Sequence, residues 1–200
     1  MSNKAYLHCS TGPLIYPYWN SAERGGGEYQ CVALVDGCIP LLWLLLFAPE
    51  DMRSETLADD NGQDWLLLAP CTTRGLAVER LQARRGFVND LFAANGGLDT
   101  HIDALAGYLN SLPPQAYISL DTVELQCMDA DFQYLPQQLG AVWAQLAAQD
   151  PAVKAGLLDV STVIDDRRFL PWPAAYQAEP EDRWNLFRLL GETVKPAPWM

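Results

Sequence analysis

Apolar and polar residues alternate weakly from Lys4 to Cys9 and again from Glu28 to Val35, the two-residue period of a strand with one buried face. The turn pair Asp36-Gly37 ends the second run, and a Pro-, Gly-, Tyr- and Trp-rich loop from Ser10 to Gly27 joins the two. From Pro40 to Phe47 the chain is apolar without period, which fits a short buried helix or a central strand. Its leucine content and the proline at its start favour the helix, and Pro49 stops it. Asp64 to Ala69 predicts a short apolar strand closed by Pro70, after the polar turn Asp59-Asp60-Asn61-Gly62. Thr72 or Thr73 caps a helix with Ala77, Leu81, Val88, Leu91 and Phe92 on one face, running to Asn95-Gly96-Gly97. Leu98, Ile102, Leu105, Leu109 and Leu112 define a second amphipathic helix, from about Asp99 to Pro113-Pro114.

Ala116 to Leu125 alternates like a strand, and Leu135 to Gln149 carries Leu135, Leu139, Val142, Trp143 and Leu146 on a helical stripe. A further helical piece is expected over Pro151 to Leu158. Pro180 to Leu190 has a proline at its start, Glu181 and Asp182 in its first turn and Gly191 at its end. These elements predict an α+β (mixed α/β) fold: a small mixed sheet of about four strands packed by amphipathic helices, with a Pro- and Trp-rich C-terminal tail. The length suits one globular domain over residues 1–200, with 169–200 as a packed C-terminal extension.

Composition narrows the function classes. Half of the residues are hydrophobic and 19% are charged, enough apolar surface for a sizeable core. Five scattered cysteines (Cys9, Cys31, Cys38, Cys71, Cys127) without a C-x-x-C pair read as buried thiols in a reducing compartment. Met1 to Tyr18 has no secretory pattern, and the apolar run Cys38–Ala48 is far short of the roughly 20 residues of a membrane span, so a cytoplasmic protein is expected.

Charge is the chain's most distinctive property, with 25 acids against 13 bases and a net charge of −12. From Gly86 to Val153 there is no lysine or arginine, while Asp90, Asp99, Asp103, Asp121, Glu124, Asp129, Asp131 and Asp150 all fall in that stretch. Such a one-signed field attracts basic partners and repels nucleic acid and anionic membranes, although acidity also serves plain solubility. Asp99, Asp129 and Asp131 also stand near predicted helix starts, where a carboxylate binds free amides without any partner. Arg74, Arg80, Arg84 and Arg85 gather on the first long helix and are expected to pair with the protein's own carboxylates, such as Glu79 or those of Glu50 to Asp64.

Catalytic grammar is missing. There is no phosphate-binding G-x-x-x-x-G-K-[ST] or G-x-G-x-x-G motif and no G-x-S-x-G nucleophile elbow. His8 and His101 are too far apart for the paired spacing of a zinc site. With Gly62 at the sixth position of a calcium loop, Leu57 and Leu68 would fall at the first and twelfth, where neither can ligate. No cofactor or metal is therefore expected. Tyr16-Pro17-Tyr18-Trp19 concentrates aromatics in a loop, either as a contact surface or folded back over the core.

Two segments, Met1–Leu7 and Ile39–Phe47, resemble small bacterial proteins that open on an Asn-(Lys/Arg)-x-Tyr-Leu strand and are associated with immunity to polymorphic toxins. The resemblance implies a stoichiometric, non-enzymatic binder. With the charge it suggests an acidic protein that occludes a basic, nuclease-like toxin domain, since such toxins must hold a phosphate backbone. The candidate contact residues are Asp99, Asp103, Asp121, Asp129, Asp131, Tyr16, Tyr18 and Trp19. The alternatives are a hydrolase that uses pocket carboxylates, and an acidic scaffold or homo-oligomer.

Overall fold

The computed structural model describes residues 3–16, 29–58, 62, 64–94, 96–164, 169 and 180–192. The strands are β1 (Lys4–Ser10), β2 (Tyr29–Asp36), β3 (Met52–Ala58), β4 (Asp64–Thr73) and β5 (Tyr117–Asp121). They form one five-stranded sheet in the order β2-β1-β5-β4-β3, and every pairing is antiparallel. The helices among the described residues are α1 (Leu41–Leu44), α2 (Arg74–Ala83), α3 (Arg85–Leu91), α4 (Asp99–Ser111), α5 (Val123–Gln126), α6 (Tyr134–Ala147), α7 (Val153–Ser161) and α8 (Pro180–Leu190).

The α+β class is as the residue pattern predicts, with four differences of detail. The sheet is antiparallel rather than mixed, and β3, which the pattern did not suggest, raises the strands from about four to five. Met52–Ala58 hides itself because it is an edge strand whose exposed positions, Arg53, Ser54, Thr56 and Ala58, carry no apolar stripe. β4 runs through Pro70 to Thr73 instead of stopping at the proline. Up to Pro70 it pairs with β3, and from Cys71 it pairs with β5. The stretch Ala116–Leu125 divides at Asp121, because Thr122 leaves the extended conformation and α5 begins.

Strand alternation sorts the sheet into two faces. Ala5 and Leu7 of β1, Ala33 and Val35 of β2, and Ile118 and Leu120 of β5 enter the main core. There they meet Ala77 and Leu81 of α2, Ile102, Leu105 and Leu109 of α4, Leu139, Val142 and Trp143 of α6, and Leu157 of α7. Leu186, Leu189 and Leu190 of α8 join the same core, so the C-terminal helix packs with the rest. The opposite face holds a smaller apolar cluster, Ile15, Leu57, Leu67, Ala69, Cys71 and Val123, beside the polar side chains described below.

The apolar run becomes helix α1 at the centre of the main core, with every residue from Leu41 to Phe47 buried. Carbonyls at such a depth need partners. The Arg84 guanidinium donates to the carbonyls of Leu45 (2.8 Å) and Phe47 (2.7 Å), and the Trp143 indole donates to that of Leu44 (3.0 Å). Burial pulls the Arg84 pKa down to about 10. Trp43 donates its indole N–H to the Leu190 carbonyl (2.9 Å), locking α8 onto α1. Gly191 follows with φ +80°, and a Cβ there would run into the Trp43 ring, so this helix end requires glycine.

The arginine expectation divides accordingly. Arg80 pairs with Glu50 and Asp51, as foreseen for a carboxylate partner. Arg84 instead binds backbone carbonyls, and Arg74 donates to those of Asn110 and Leu112. Thr73, not Thr72, caps α2, accepting the N–H of Leu76 at 3.3 Å.

Candidate functional site

The face of the sheet opposite the main core gathers a cluster of buried polar side chains. Alternation from the core residues Ala5 and Leu7 sends Tyr6, His8 and Ser10 of β1 the other way, and Ser119 and Asp121 of β5 do likewise. His8 is fully buried, with its Nε2 3.9 Å from Asp121 Oδ2. Its ring stacks on Tyr29 at 4.4 Å and lies 5.9 Å from Tyr6. The Tyr29 hydroxyl donates to the Tyr16 carbonyl at 2.9 Å and sits 3.4 Å from Ser119 Oγ. Burial drives the Tyr29 pKa upward, so the phenol stays protonated. Tyr6 donates to Glu124 Oε1 at 2.7 Å, while Glu124 Oε2 accepts the Lys4 backbone N–H at 3.0 Å. Asp121 Oδ1 accepts the N–H of Val123 at 2.9 Å and so starts α5.

A histidine, a carboxylate and a serine in one cluster suggest acid–base chemistry, but geometry argues otherwise. A general base must lie within hydrogen-bond reach of a substrate proton. His8 is 0% exposed, Ser119 1% and Asp121 4%. At 3.9 Å the His8–Asp121 contact is also longer than a hydrogen bond. The cluster ties β1, β2, β5 and α5 together rather than presenting a reacting group. The thiols behave alike, since burial pushes Cys31 and Cys71 up to about 11. Among the described residues no group of three His, Cys, Asp or Glu side chains could hold a metal ion.

The candidate contact acids do not form one surface. Asp99 opens α4 and accepts from Asn89 Nδ2 at 3.0 Å, with Arg85 Nε 3.8 Å away, and Asp103 is ion-paired with the same Arg85. Asp121 is buried beside His8 and belongs to the interior. Asp129 and Asp131 are exposed, and Asp131 Oδ1 accepts the N–H of Gln133 at 2.9 Å. Neither carries an ion pair among the described residues. Tyr16 folds against Tyr29 with ring centroids 5.9 Å apart, which is the inward alternative for that residue. Tyr18 and Trp19 lie outside the described residues.

What remains exposed and acidic is the segment between α5 and α6. Met128 is 60% exposed and Tyr134 54%, and Asp129 and Asp131 stand between them in the chain. The segment is anchored, because Phe132 packs edge-on against Trp65 of β4 at 5.6 Å. Gln126, just before it, donates to the Leu68 carbonyl (3.4 Å) and to Thr122 Oγ1 (2.8 Å). Sequence reasoning found the two aspartates but missed Met128 and Tyr134, whose exposure no pattern announces. A pocket of about 140 Å³ lies between the end of β1 and the α4–β5 connection, lined by Cys9, Thr11, Gln30, Leu112 and Pro113 among others. It holds no charged side chain. No family model matches the chain, and no curated protein or solved structure matches it either.

Proposed function

We propose that the protein is a non-enzymatic, acidic binding protein of the immunity type, which neutralises a basic, nuclease-like toxin domain by direct occlusion in the cytoplasm. The observation that carries this reading is the anchored strip Met128–Tyr134. It joins two exposed carboxylates that carry no ion pair among the described residues, Asp129 and Asp131, to two exposed apolar side chains, Met128 and Tyr134. Apolar anchors supply affinity on desolvation, while neighbouring charges steer the encounter. The arginines support the same direction, because Arg74, Arg80, Arg84 and Arg85 are spent on the protein's own carbonyls and carboxylates. Among the described residues no helix is long and apolar enough to cross a membrane.

The test is association with a purified basic, nuclease-type toxin domain, followed by stopped-flow at increasing ionic strength. Steered association slows steeply as salt is added, and the double variant D129N/D131N should start slower and show a shallower salt dependence. A salt-insensitive on-rate, or an unaltered one in the double variant, would sink the reading.

A further inference from the structure

The two edges of the sheet are finished differently. Along β2, Leu34 exchanges both backbone hydrogen bonds with Glu192, at 2.8 and 2.7 Å, so the chain after α8 caps that edge at Leu34. Along β3, no described residue pairs with the outer side of Met52–Ala58. An open edge is a template for another strand, and proteins blunt it with proline, charged side chains, bulges or shortness. Of these β3 has only its charges, Arg53 and Glu55, and they are of opposite sign. It is seven residues long, contains no proline, glycine or lysine, and matches β4 residue for residue without a bulge.

We propose that β3 is a self-pairing strand, on which a second copy of this chain docks antiparallel about a two-fold axis through Ser54. A two-fold normal to the sheet keeps each face on its own side, so opposed residues have the same parity and the axis passes through a residue facing itself. The sequence Met52-Arg53-Ser54-Glu55-Thr56 then selects the register. Centred on Ser54, Arg53 of each copy stands opposite Glu55 of the other, which makes two opposite-charge pairs on one face. On the other face Ser54 meets Ser54, and Thr56 meets Met52. Centring on Arg53 or on Glu55 sets like charges against each other, and cross-strand pairs reward the first arrangement and penalise the others.

The side chains are available for this exchange. Arg53 is exposed, and it reaches Cys71 only loosely, its Nε standing 3.5 Å from the Cys71 carbonyl, the limit of such contacts. Glu55 carries no ion pair among the described residues. The inference rests on the backbone edge and charge order of β3 and not on the proposed immunity role, although Phe132 of the strip packs on Trp65 of the neighbouring β4.

The experiment is sedimentation equilibrium of the full chain at 0.15 M salt, where the roughly 8 Å Debye length screens the repulsion between two acidic copies. The wild type should dimerise with rising concentration. R53E and E55R should each raise the dimer dissociation constant by about tenfold, because two attractive pairs become repulsive. The exchanged variant R53E/E55R should return it to within about threefold of wild type, since the pairs are re-formed with their ends swapped. Circular dichroism and thermal melting establish that each variant is folded. A wild type that stays monomeric at millimolar concentration overturns the proposal. So does a dimer that ignores the single reversals, or single defects that the exchange does not repair.

Discussion

The sheet's two faces are made by the same strands and built to opposite rules. On the helix side Ala5, Leu7, Ile118 and Leu120 bury hydrocarbon against hydrocarbon, and the polar groups admitted include Arg84 and Trp143, which satisfy the carbonyls at the end of α1. On the other side Tyr6, His8, Ser119 and Asp121 are just as buried, yet they hold together through a specific network of hydroxyls, a carboxylate and a stacked imidazole. The difference teaches how burial is to be read. Apolar burial is non-directional and tolerates repacking, whereas buried polar groups stabilise only while every partner is in place.

Breaking the apolar side should have the largest effect. Trp43→Ala removes a fully buried ring and its bond to Leu190, and should cost about 3–5 kcal/mol in urea unfolding. A loss under 1 kcal/mol would mean that α8 contributes little to this core. On the polar side, Asp121→Ala leaves the Val123 N–H without its acceptor and should cost about 1–3 kcal/mol. A double-mutant cycle of H8F with D121N should show coupling of about 0.5 kcal/mol or more. Strict additivity would dissolve the His8–Asp121 pairing.

The thiols of this sheet provide a pH probe. Cys31 and Cys71 titrate near 11 in the folded chain, above the ordinary thiol value of 9.0. A raised folded-state value means that the unfolded chain loses these protons first. Their contribution is complete below pH 9 and is lost as pH rises through about 11, so stability should decline across that window. The variant C31A/C71A should decline less steeply, and an unchanged slope would remove the thiols from the account. Thr73→Ala deletes the cap of α2 and should cost about 1 kcal/mol. The smallest effect belongs outside both faces: D129N/D131N should leave stability within about 0.5 kcal/mol.

Much of the fold was legible because burial here follows periodicity. The stripe Leu98, Ile102, Leu105 and Leu109 marks α4 to within a residue at its start, and Pro180 with Gly191 brackets α8. The edge strand β3 escaped notice because an edge that no described residue pairs and exposed side chains impose no apolar alternation. The end of β5 was hidden for another reason: Val123 and Leu125 continue the alternating pattern while the backbone has already turned into α5. The contact acids were the least legible. Asp99, Asp103, Asp121, Asp129 and Asp131 read alike in the chain, and they separate into ion-paired, buried and exposed only in the fold.

By itself the sequence determined the class of fold, most helices, the apolar centre at Leu41–Phe47 and the acidic balance, since each follows from local period, caps or composition. Tertiary structure alone decided that Arg84 serves carbonyls, that His8 meets Asp121, and that Met128 and Tyr134 stay at the surface. Those outcomes depend on which distant segments arrive at the same place, and no local pattern encodes a distance between Arg84 and Phe47 or between β1 and β5.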